Sequence, residues 1–333
     1  MDPLISVIMS VHNEKEYVSD AINSILAQTY QNFELIIIDD YSDNETADIC
    51  NVFYKNWPTK IRLFRNEYNI GLTKSLNIGL KHAKGDFIAR MDADDISLNN
   101  RFETQINYLI DNSDIDLVGS FYDEIDKNGK TIRENVKFET EPSIINWRLF
   151  FENPIPHPPI MLKKEILNNM GGYNEKIKFS QDYDLFCRLS AFAKMTNLPK
   201  VLYKWRVHDK SISKKSNLAQ RKIAVEISKN HISSNINSVL DDYDLDLLWN
   251  KNIRNSNDRK RYVELLYQFY LATLKKDLWS KYEIIKLKKY IISKLYYHLS
   301  LIDKDLSFIF LLIKIFFIRP RVILKMIYKS ITL

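Results

Sequence analysis

Three short apolar runs, each ending at polar side chains, limit what this chain can fold into. The runs lie at 4–11, 33–38 and 87–91. Continuous rather than alternating apolar character is typical of strands that are buried on both faces. Between the first two runs, apolar residues recur at helical spacing, which predicts a strand–helix–strand unit with parallel strands and a right-handed crossover. We therefore expect an α/β fold with a mixed, mostly parallel central sheet flanked by helices.

The alternation continues to about residue 122 and then gives way to a different pattern. The further elements predicted are a strand at 61–64, a helix from Leu72 to near Gly85, a helix at 101–110 and a strand at 115–122. From about residue 211, long segments rich in Leu, Ile, Lys and Tyr predict a C-terminal helical region without strands. We therefore expect two domains, residues 1–213 and 214–333, with the boundary in the polar segment KSISKKSN.

Charge is distributed unequally between these two parts. Residues 1–210 carry 25 basic and 31 acidic side chains, whereas residues 211–333 carry 23 basic and 11 acidic ones. The resulting net charges, −6 and +12, indicate that the two parts meet different partners or that the second part meets an anionic surface.

The C-terminal part ends in an apolar segment followed by a basic one. The apolar run 306–318 is shorter than the roughly 20 residues that a membrane-spanning helix needs. Downstream, Arg321, Lys325 and Lys329 recur every fourth residue and predict one basic helix face. Such a helix is typical of proteins that bind an anionic membrane peripherally, although a core helix or an oligomer contact gives the same pattern. Nucleic-acid binding is disfavoured because the aromatic residues lie within apolar helices.

Cysteine usage and the first residues bear on the compartment. Cys50 and Cys187 are the only cysteines, and they suggest neither a disulfide framework nor a zinc site. The segment MDPLISVIMSV lacks the basic start and cleavage site of a signal peptide. We therefore expect a cytoplasmic protein, with peripheral attachment to the inner face of the cell membrane if the basic helix binds lipid.

Polar residues follow each of the three predicted buried strands, and these three clusters predict the position of a ligand-binding site. Ligands of open parallel sheets bind beyond the carboxyl ends of the strands. No glycine-rich dinucleotide motif or P-loop is present, so a bound phosphate needs a metal or charged side chains. Asp92 and Asp94 form a D-x-D pair that suits Mg²⁺ or Mn²⁺, although a solvated turn with a helix N-cap gives the same local pattern. The three clusters are SVHNE at 10–14, Asp39 with Asp40, and Asp92 with Asp94 and Asp95.

Four ordered segments resemble a family 2 glycosyltransferase of the GT-A fold, of the bacterial surface-polysaccharide type. They contain the motifs SVHNE, DDYSD, RMDADD, HPPIM, SQDYD and WRVHD, within residues 4–213. The resemblance implies that Mn²⁺ or Mg²⁺ is bound by Asp94, with Asp92 and His208 as further ligands and Asp95 as a less certain one. It also implies a nucleotide-sugar site, with a UDP-sugar as the expected donor. The residues expected to line that site are Ser10, Val11, Asn13, Glu14, Asp40, Asn69, Gly71, Lys74, Arg90 and Asp92.

The resemblance further implies that Asp182 is the general base of an inverting transfer. This carboxylate would take a proton from the hydroxyl of a glycan or lipid-linked glycan acceptor while the metal stabilises the departing diphosphate. Its position at the start of the helix DYDLFCRL favours the anion and predicts a low pKa, although a helix cap without chemistry would sit there too. Gln181 stands where the family often has an acid. His157 is interpreted either as an acceptor-pocket residue or as a structural one, and Arg206 and Lys210 as cations near the phosphates.

Three other functions use similar features. A non-catalytic sugar-nucleotide-binding or scaffold protein would keep the cleft without turnover, and the set Asp92, Asp94 and Asp182 argues against it. A nucleotidyltransferase would need a glycine-rich basic phosphate loop, which is missing. A polyprenyl-phosphate glycosyltransferase differs only in its acceptor, which the sequence leaves open.

Overall fold

The computed structural model describes residues 2–208, 217–236 and 240–300. The chain divides into two compact units, Met1–His231 and Ile232–Leu333. The domain boundary expected at 213/214, Lys210, and the apolar and basic segments between 306 and 329 lie outside the described residues.

In the described part of the first unit, nine strands form one mixed sheet. Its order is β3-β2-β1-β4-β8-β6-β9-β5, with β7 paired to β6. Strands β1 to β4 are parallel to one another, as are β6 and β9, whereas β8, β5 and β7 pair antiparallel with their neighbours. The strands are β1 (Ile5–Val11), β2 (Phe33–Asp39), β3 (Ile61–Arg65), β4 (Phe87–Asp92), β5 (Ile96–Ser97), β6 (Leu117–Ile125), β7 (Thr131–Val136), β8 (Met161–Lys163) and β9 (Met195–Arg206).

Helices flank this sheet, so the α/β prediction is confirmed. Helix α1 buries Val18, Ile22 and Ile25 on one face, as its helical spacing predicts. Helix α3 ends at His82, before the predicted Gly85, because Ala83 already has extended backbone geometry. The helices of this unit are α1 (Val18–Leu26), α2 (Asn44–Asn56), α3 (Leu72–His82), α4 (Arg101–Asp111), α5 (Pro142–Arg148), α6 (Lys164–Met170), α7 (Gln181–Leu189) and α8 (Asn217–Asn235), the last of which continues past His231.

The register of the parallel strands places the polar clusters at one edge. Strand β1 lies between β2 and β4, and Ser10 is opposite both Ile38 and Asp92. Because all three strands run in the same direction, their carboxyl ends meet at this edge. The residues predicted to form the site therefore start from neighbouring positions in the sheet.

The described part of the second unit is helical, as predicted. Its helices are α9 (Asp242–Trp249), α10 (Ser256–Leu274) and α11 (Lys281–Ser300), and α10 packs against both others. Arg261 donates two hydrogen bonds to the buried carboxylate of Asp244, at 2.7 and 2.6 Å. In the part of the chain that is described, no helix is long and apolar enough to span a bilayer.

Candidate active site

Three carboxylates converge at the carboxyl end of β4. Asp92 is the last residue of the strand, and Asp94 and Asp95 lie in the turn that leads to β5. One ligand oxygen from each lies within 4.8 Å of the others. We call Asp92, Asp94 and Asp95 the acidic turn. Like charges at this spacing repel, so the arrangement needs compensating positive charge.

Residues at the end of β9 and just after it hydrogen-bond to the acidic turn. The backbone N–H of Arg206 donates to Oδ1 of Asp95 at 2.7 Å, and its Nε donates to the carbonyl of Asp94 at 2.7 Å. His208 Nε2 lies 2.9 Å from Oδ2 of Asp94. The Arg206 side chain is buried and also faces the carbonyls of Asp126 and Lys127. Arg206 therefore shapes the turn.

Burial and mutual repulsion set the protonation of these groups. Burial, together with the charges of Asp94 and Asp92, raises the pKa of Asp95 well above its usual value. Burial also raises the pKa of Asp92, although the neighbouring Arg90 opposes the shift. The hydrogen bond to Asp94 raises the pKa of His208. In the described residues, Oδ2 of Asp95 is buried without a hydrogen-bond partner. Clustered hard oxygen donors with unused capacity fit Mg²⁺ or Mn²⁺.

Two buried arginines hold β4 in place behind the acidic turn. Arg90 forms an ion pair with Asp92, while its Nε and Nη1 atoms have no hydrogen-bond partner among the described residues. Arg101, at the start of α4, is fully buried, and its Nη2 donates to the carbonyls of Arg90 at 2.8 Å and Ile160 at 3.1 Å. Burial lowers the pKa of Arg101 to about 10, so the side chain is still a cation at neutral pH.

The carboxylate of Asp40 holds the loop that precedes α3. Its Oδ1 accepts from the backbone N–H of Ile70 at 2.8 Å, and its Oδ2 accepts from Gly71 at 2.8 Å. Oδ1 also accepts from the Asn66 amide at 2.8 Å. Asn69 contacts the Asp40 carbonyl at 3.5 Å, and Lys74 is exposed in the first turn of α3. Asp40, predicted to contact a base, thus fixes the loop around 66–71 beside the strand ends.

The end of β1 is tied to the same region. The Asp40 N–H donates to the Val11 carbonyl at 2.8 Å. Asn13 has a left-handed backbone, with φ of 56°, and its Oδ1 accepts from the N–H of Asp43 at 2.7 Å. The Glu14 carbonyl accepts from the first backbone N–H groups of α1. Of the residues predicted for the nucleotide, Ser10, Val11, Asn13, Glu14, Asp40, Asn69 and Gly71 lie at the ends of β1 and β2 or in the loop before α3, Lys74 is in α3, and Arg90 and Asp92 are on β4.

Asp182 lies in the first turn of α7, after Ser180, whose φ is 57°. Its Oδ2 accepts a hydrogen bond from the Asn153 amide at 2.8 Å. Burial raises the pKa of Asp182, against the opposing effects of the helix N–H groups, Arg90 and Asn153. The low pKa predicted from the helix N-terminus is therefore wrong, because desolvation outweighs the helix contribution. A raised pKa brings the carboxylate closer to the range of an efficient general base.

Arg90 and Tyr173 connect Asp182 electrostatically with the acidic turn. The positive charge of Arg90 acts on both Asp92 and Asp182. Burial raises the pKa of Tyr173, and the charges of Asp182 and Asp92 both add to the increase. Asp92 and Asp182 therefore both lie near the Tyr173 hydroxyl.

His157 contacts Tyr173, the tyrosine that lies near both carboxylates. Its Nε2 lies 2.8 Å from the Tyr173 hydroxyl. Burial, followed by the charge of Arg90, lowers the pKa of His157 well below its usual value, so the ring is neutral. The structure therefore gives His157 a supporting contact, which agrees with the structural interpretation of this histidine.

Sequence reasoning missed Arg101, Asn153, Tyr173 and Asn77. Asn77 accepts from the N–H of Tyr173 and donates to its carbonyl, both at 2.9 Å. In the sequence Arg101 looks like an ordinary first residue of a helix, and Asn153 before a proline looks like a turn residue. The sequence pattern offered one signal: Arg101 is a charged residue on an otherwise apolar helix face. Phe102, the next residue, is fully buried in the structure.

The sequence is similar to those of known glycosyltransferases. The family model described as "Glycosyl transferase family 2" matches residues 6–171. An uncharacterized glycosyltransferase of Haemophilus influenzae is 30% identical over 313 residues, which is 90% of this chain and 93% of that protein. The O-antigen biosynthesis glycosyltransferase WbnJ of Escherichia coli is 37% identical over 215 residues, covering 63% of this chain and 82% of WbnJ.

Solved structures show the same fold. The crystal structure of S. aureus TarS 1–349 in complex with UDP-GlcNAc has a TM-score of 0.58 at 16% identity and covers 88% of each chain. The mannosyltransferase PcManGT from Pyrobaculum calidifontis, in complex with GDP-Man and Mn²⁺, has a TM-score of 0.54 at 16% identity, covering 89% of this chain and 81% of PcManGT. The fold is therefore of the expected GT-A type. From the family match and the similarity over nearly the full length of a relative, the chain belongs to glycosyl transferase family 2 and is a glycosyltransferase.

Proposed function

We propose that this enzyme transfers a sugar from a UDP-sugar to a hydroxyl of a glycan or lipid-linked glycan, with inversion and with Mn²⁺ or Mg²⁺. One observation carries the proposal. Asp92 of the acidic turn and the separate carboxylate of Asp182 share Arg90 and Tyr173 as electrostatic neighbours. A diphosphate-binding group and a proton acceptor near one another are what glycosyl transfer requires.

The donor nucleotide lies along the ends of β1 and β2 in this proposal. The residues proposed to surround it are those predicted from the sequence, with Asp40 acting mainly through the loop that it holds and Arg90 acting through its ion pair with Asp92. That TarS binds UDP-GlcNAc supports a uridine nucleotide, and that PcManGT binds GDP-Man supports nucleotide-sugars more generally.

Asp94, with Asp92 and His208, would hold the metal ion, which when bound supplies positive charge to the donor diphosphate. The close oxygen donors and the unsatisfied Oδ2 of Asp95 support this assignment. The Mn²⁺ in the PcManGT complex supports it independently. His208 can act as a ligand only when neutral, so metal binding should weaken as pH falls.

Asp182 accepts the proton of the acceptor hydroxyl in this mechanism. The acceptor oxygen forms a bond to the anomeric carbon on the face opposite the diphosphate, while the bond from that carbon to the diphosphate oxygen breaks. The electron pair of that bond leaves with the nucleoside diphosphate. No covalent sugar–enzyme intermediate forms, and Cys187 is buried against the Leu149 carbonyl rather than at the site.

Similarity to WbnJ supports an acceptor in bacterial surface-polysaccharide biosynthesis, because WbnJ carries the name of an O-antigen biosynthesis enzyme. A polysaccharide built on a lipid carrier would place the enzyme at the inner face of the membrane. The basic segment that would make this contact lies outside the described residues.

A donor panel tests the proposal. UDP-GlcNAc, UDP-glucose, UDP-galactose and GDP-mannose would be incubated with the enzyme and Mn²⁺, scoring nucleoside diphosphate release and thermal shift. We expect Asp182→Asn to keep the donor-induced thermal shift and to lose about a hundredfold or more of the release rate. Asp94→Asn should instead abolish the Mn²⁺-dependent part of the thermal shift. Asp114→Asn, an exposed acid paired with Lys194, is the control and should match the wild type. Full activity of the Asp182 variant would contradict the assignment of the base.

A further inference from the structure

We propose that Asn153 is a positioning residue for Asp182: its amide fixes the carboxylate in one orientation and favours the ionised form. This inference rests on the proposed role of Asp182 as the general base. The contact that carries it is the hydrogen bond from Asn153 Nδ2 to Asp182 Oδ2, at 2.8 Å. The two residues are 29 positions apart, so the bond connects separate segments of the chain.

The orientation of the Asn153 amide is itself determined. Its Oδ1 accepts from the backbone N–H of Ile155 at 3.3 Å. An N–H donor requires an oxygen opposite it, so the NH₂ end of the amide must face Asp182. A flipped amide would place its oxygen against a carboxylate and would lose both bonds. Asn153 is therefore built as a donor to Asp182.

The loop that carries Asn153 is attached to the sheet. Asn197 of β9 donates to the carbonyl of Pro154 at 3.1 Å and to that of Glu139 at 2.7 Å. Gly119 of β6 makes room for this side chain, because a Cβ there would lie 2.1 Å from Oδ1 of Asn197. Ile155 is 1% exposed. Asn153 thus extends from a fixed backbone, which is what a positioning residue requires.

The other charged and titratable groups that act on Asp182 come from different elements. The charge of Arg90 acts on it from β4, and Tyr173, whose hydroxyl interacts electrostatically with it, lies on the segment between α6 and α7. The backbone N–H groups at the start of α7 also favour the anion. Because Arg90 is already paired with Asp92, the Asn153 amide is a donor that Asp182 does not share with the acidic turn. Its removal should therefore affect Asp182 and leave the ion pair of the acidic turn with Arg90 in place.

The sign of the effect follows from the chemistry of the contact. An amide N–H stabilises the ionised carboxylate and not its protonated form, so deleting the amide raises the pKa of Asp182. A hydrogen bond to a charged group is strong enough to move a titration by about one pH unit. The same increase should move the acidic limb of kcat/KM to higher pH without changing KM for the donor.

The test is a ¹³C NMR titration of the full-length protein labelled at the aspartate carboxyl carbon, with the Asp182 signal assigned by its loss in Asp182→Asn. Asn153→Leu keeps nearly the same volume without the donor, and Asn153→Ala removes the side chain. Both should raise the titration midpoint of Asp182 by about one unit. The control Asn112→Ala deletes an amide that donates to the Tyr108 carbonyl at the end of α4, and it should leave the midpoint unchanged.

An unchanged midpoint in either folded Asn153 variant would overturn the inference. The titration needs neither donor nor acceptor, so it stands apart from the transfer assay. If Asp182→Asn transfers sugar at the wild-type rate, the proposed base fails even where the NMR shift is found. If that variant is inactive while the Asn153 variants titrate normally, only the positioning role fails.

Discussion

Replacing Arg101 by lysine should destabilise the first unit, Met1–His231, although the positive charge is kept. Besides longer contacts with Pro158 O at 3.5 Å and Met91 Sδ at 4.0 Å, the guanidinium makes three short hydrogen bonds, to Arg90 O at 2.8 Å, Ile160 O at 3.1 Å and Gln105 Oε1 at 3.0 Å. A lysine ammonium is a single point on a shorter stem, so it can satisfy one of these acceptors and loses two. With a net contribution of about 1 to 1.5 kcal/mol for each bond, the expected loss in the free energy of unfolding is about 2 to 3 kcal/mol.

Urea denaturation followed by circular dichroism would measure the loss, with Arg133→Lys as the matched control. The Arg133 side chain is 63% exposed, and its ion pair with Glu124, at 3.4 Å, is at the surface. That variant should change the free energy of unfolding by less than about 0.5 kcal/mol. Equal effects of the two substitutions would refute the argument that the fixed fork of Arg101, rather than its charge, stabilises β4.

Two further outcomes follow from packing and from charge. Gly172→Ala should lower both stability and activity, because φ is 78° and the new Cβ would lie 2.6 Å from Asn77 Oδ1, which holds the backbone of Tyr173. Burial opposes ionisation of Glu34, but hydrogen bonds led by that of Ser6 lower its pKa below the ordinary value. The stabilisation from Glu34 is therefore fully present above about pH 4.3, its pKa in the unfolded chain, and is lost as pH falls through the lower pKa of the folded state. Urea midpoints measured from pH 7 to pH 3 should therefore show that the stability difference between wild type and Glu34→Gln becomes smaller as pH falls.

Each of these two predictions has an outcome that would contradict it. Gly171 has a similar φ of 71°, but a Cβ added there would meet no atom within 4 Å, so Gly171→Ala reports backbone strain alone. If both glycine variants behave alike, the contact with Asn77 is irrelevant. A stability difference for Glu34→Gln that stays constant across the pH range would show that Glu34 does not titrate differently in the folded state.

The parallel half of the fold was predictable because its signals are local. Strands β1, β2 and β4 are continuous apolar runs, and α1 shows regular helical spacing. Once the strands are parallel, the polar residues that follow them must share an edge. The convergence of Ser10 with Asp92 therefore followed from topology without a structure.

The part of the sheet beyond β4 and the supporting contacts were not predictable, because they depend on pairs distant in the sequence. Strand β8 has three residues, and β9 is interrupted by Pro199 and shifts register against β6. The partner of Asp182 comes from a loop 29 residues earlier. The pKa of Asp182 was predicted in the wrong direction, because the helix end is visible in the sequence and the burial is not.

The acidic turn acquires its shape from a strand that is synthesised more than a hundred residues later. Contacts from Tyr203, Arg206 and His208 reach the turn across sequence separations of 111, 112 and 114 residues. A nascent chain on the ribosome that has not yet emerged past β9 therefore has all three acids without the geometry that brings them together. The cation binding proposed for this turn should therefore be weak until this unit is almost completely translated.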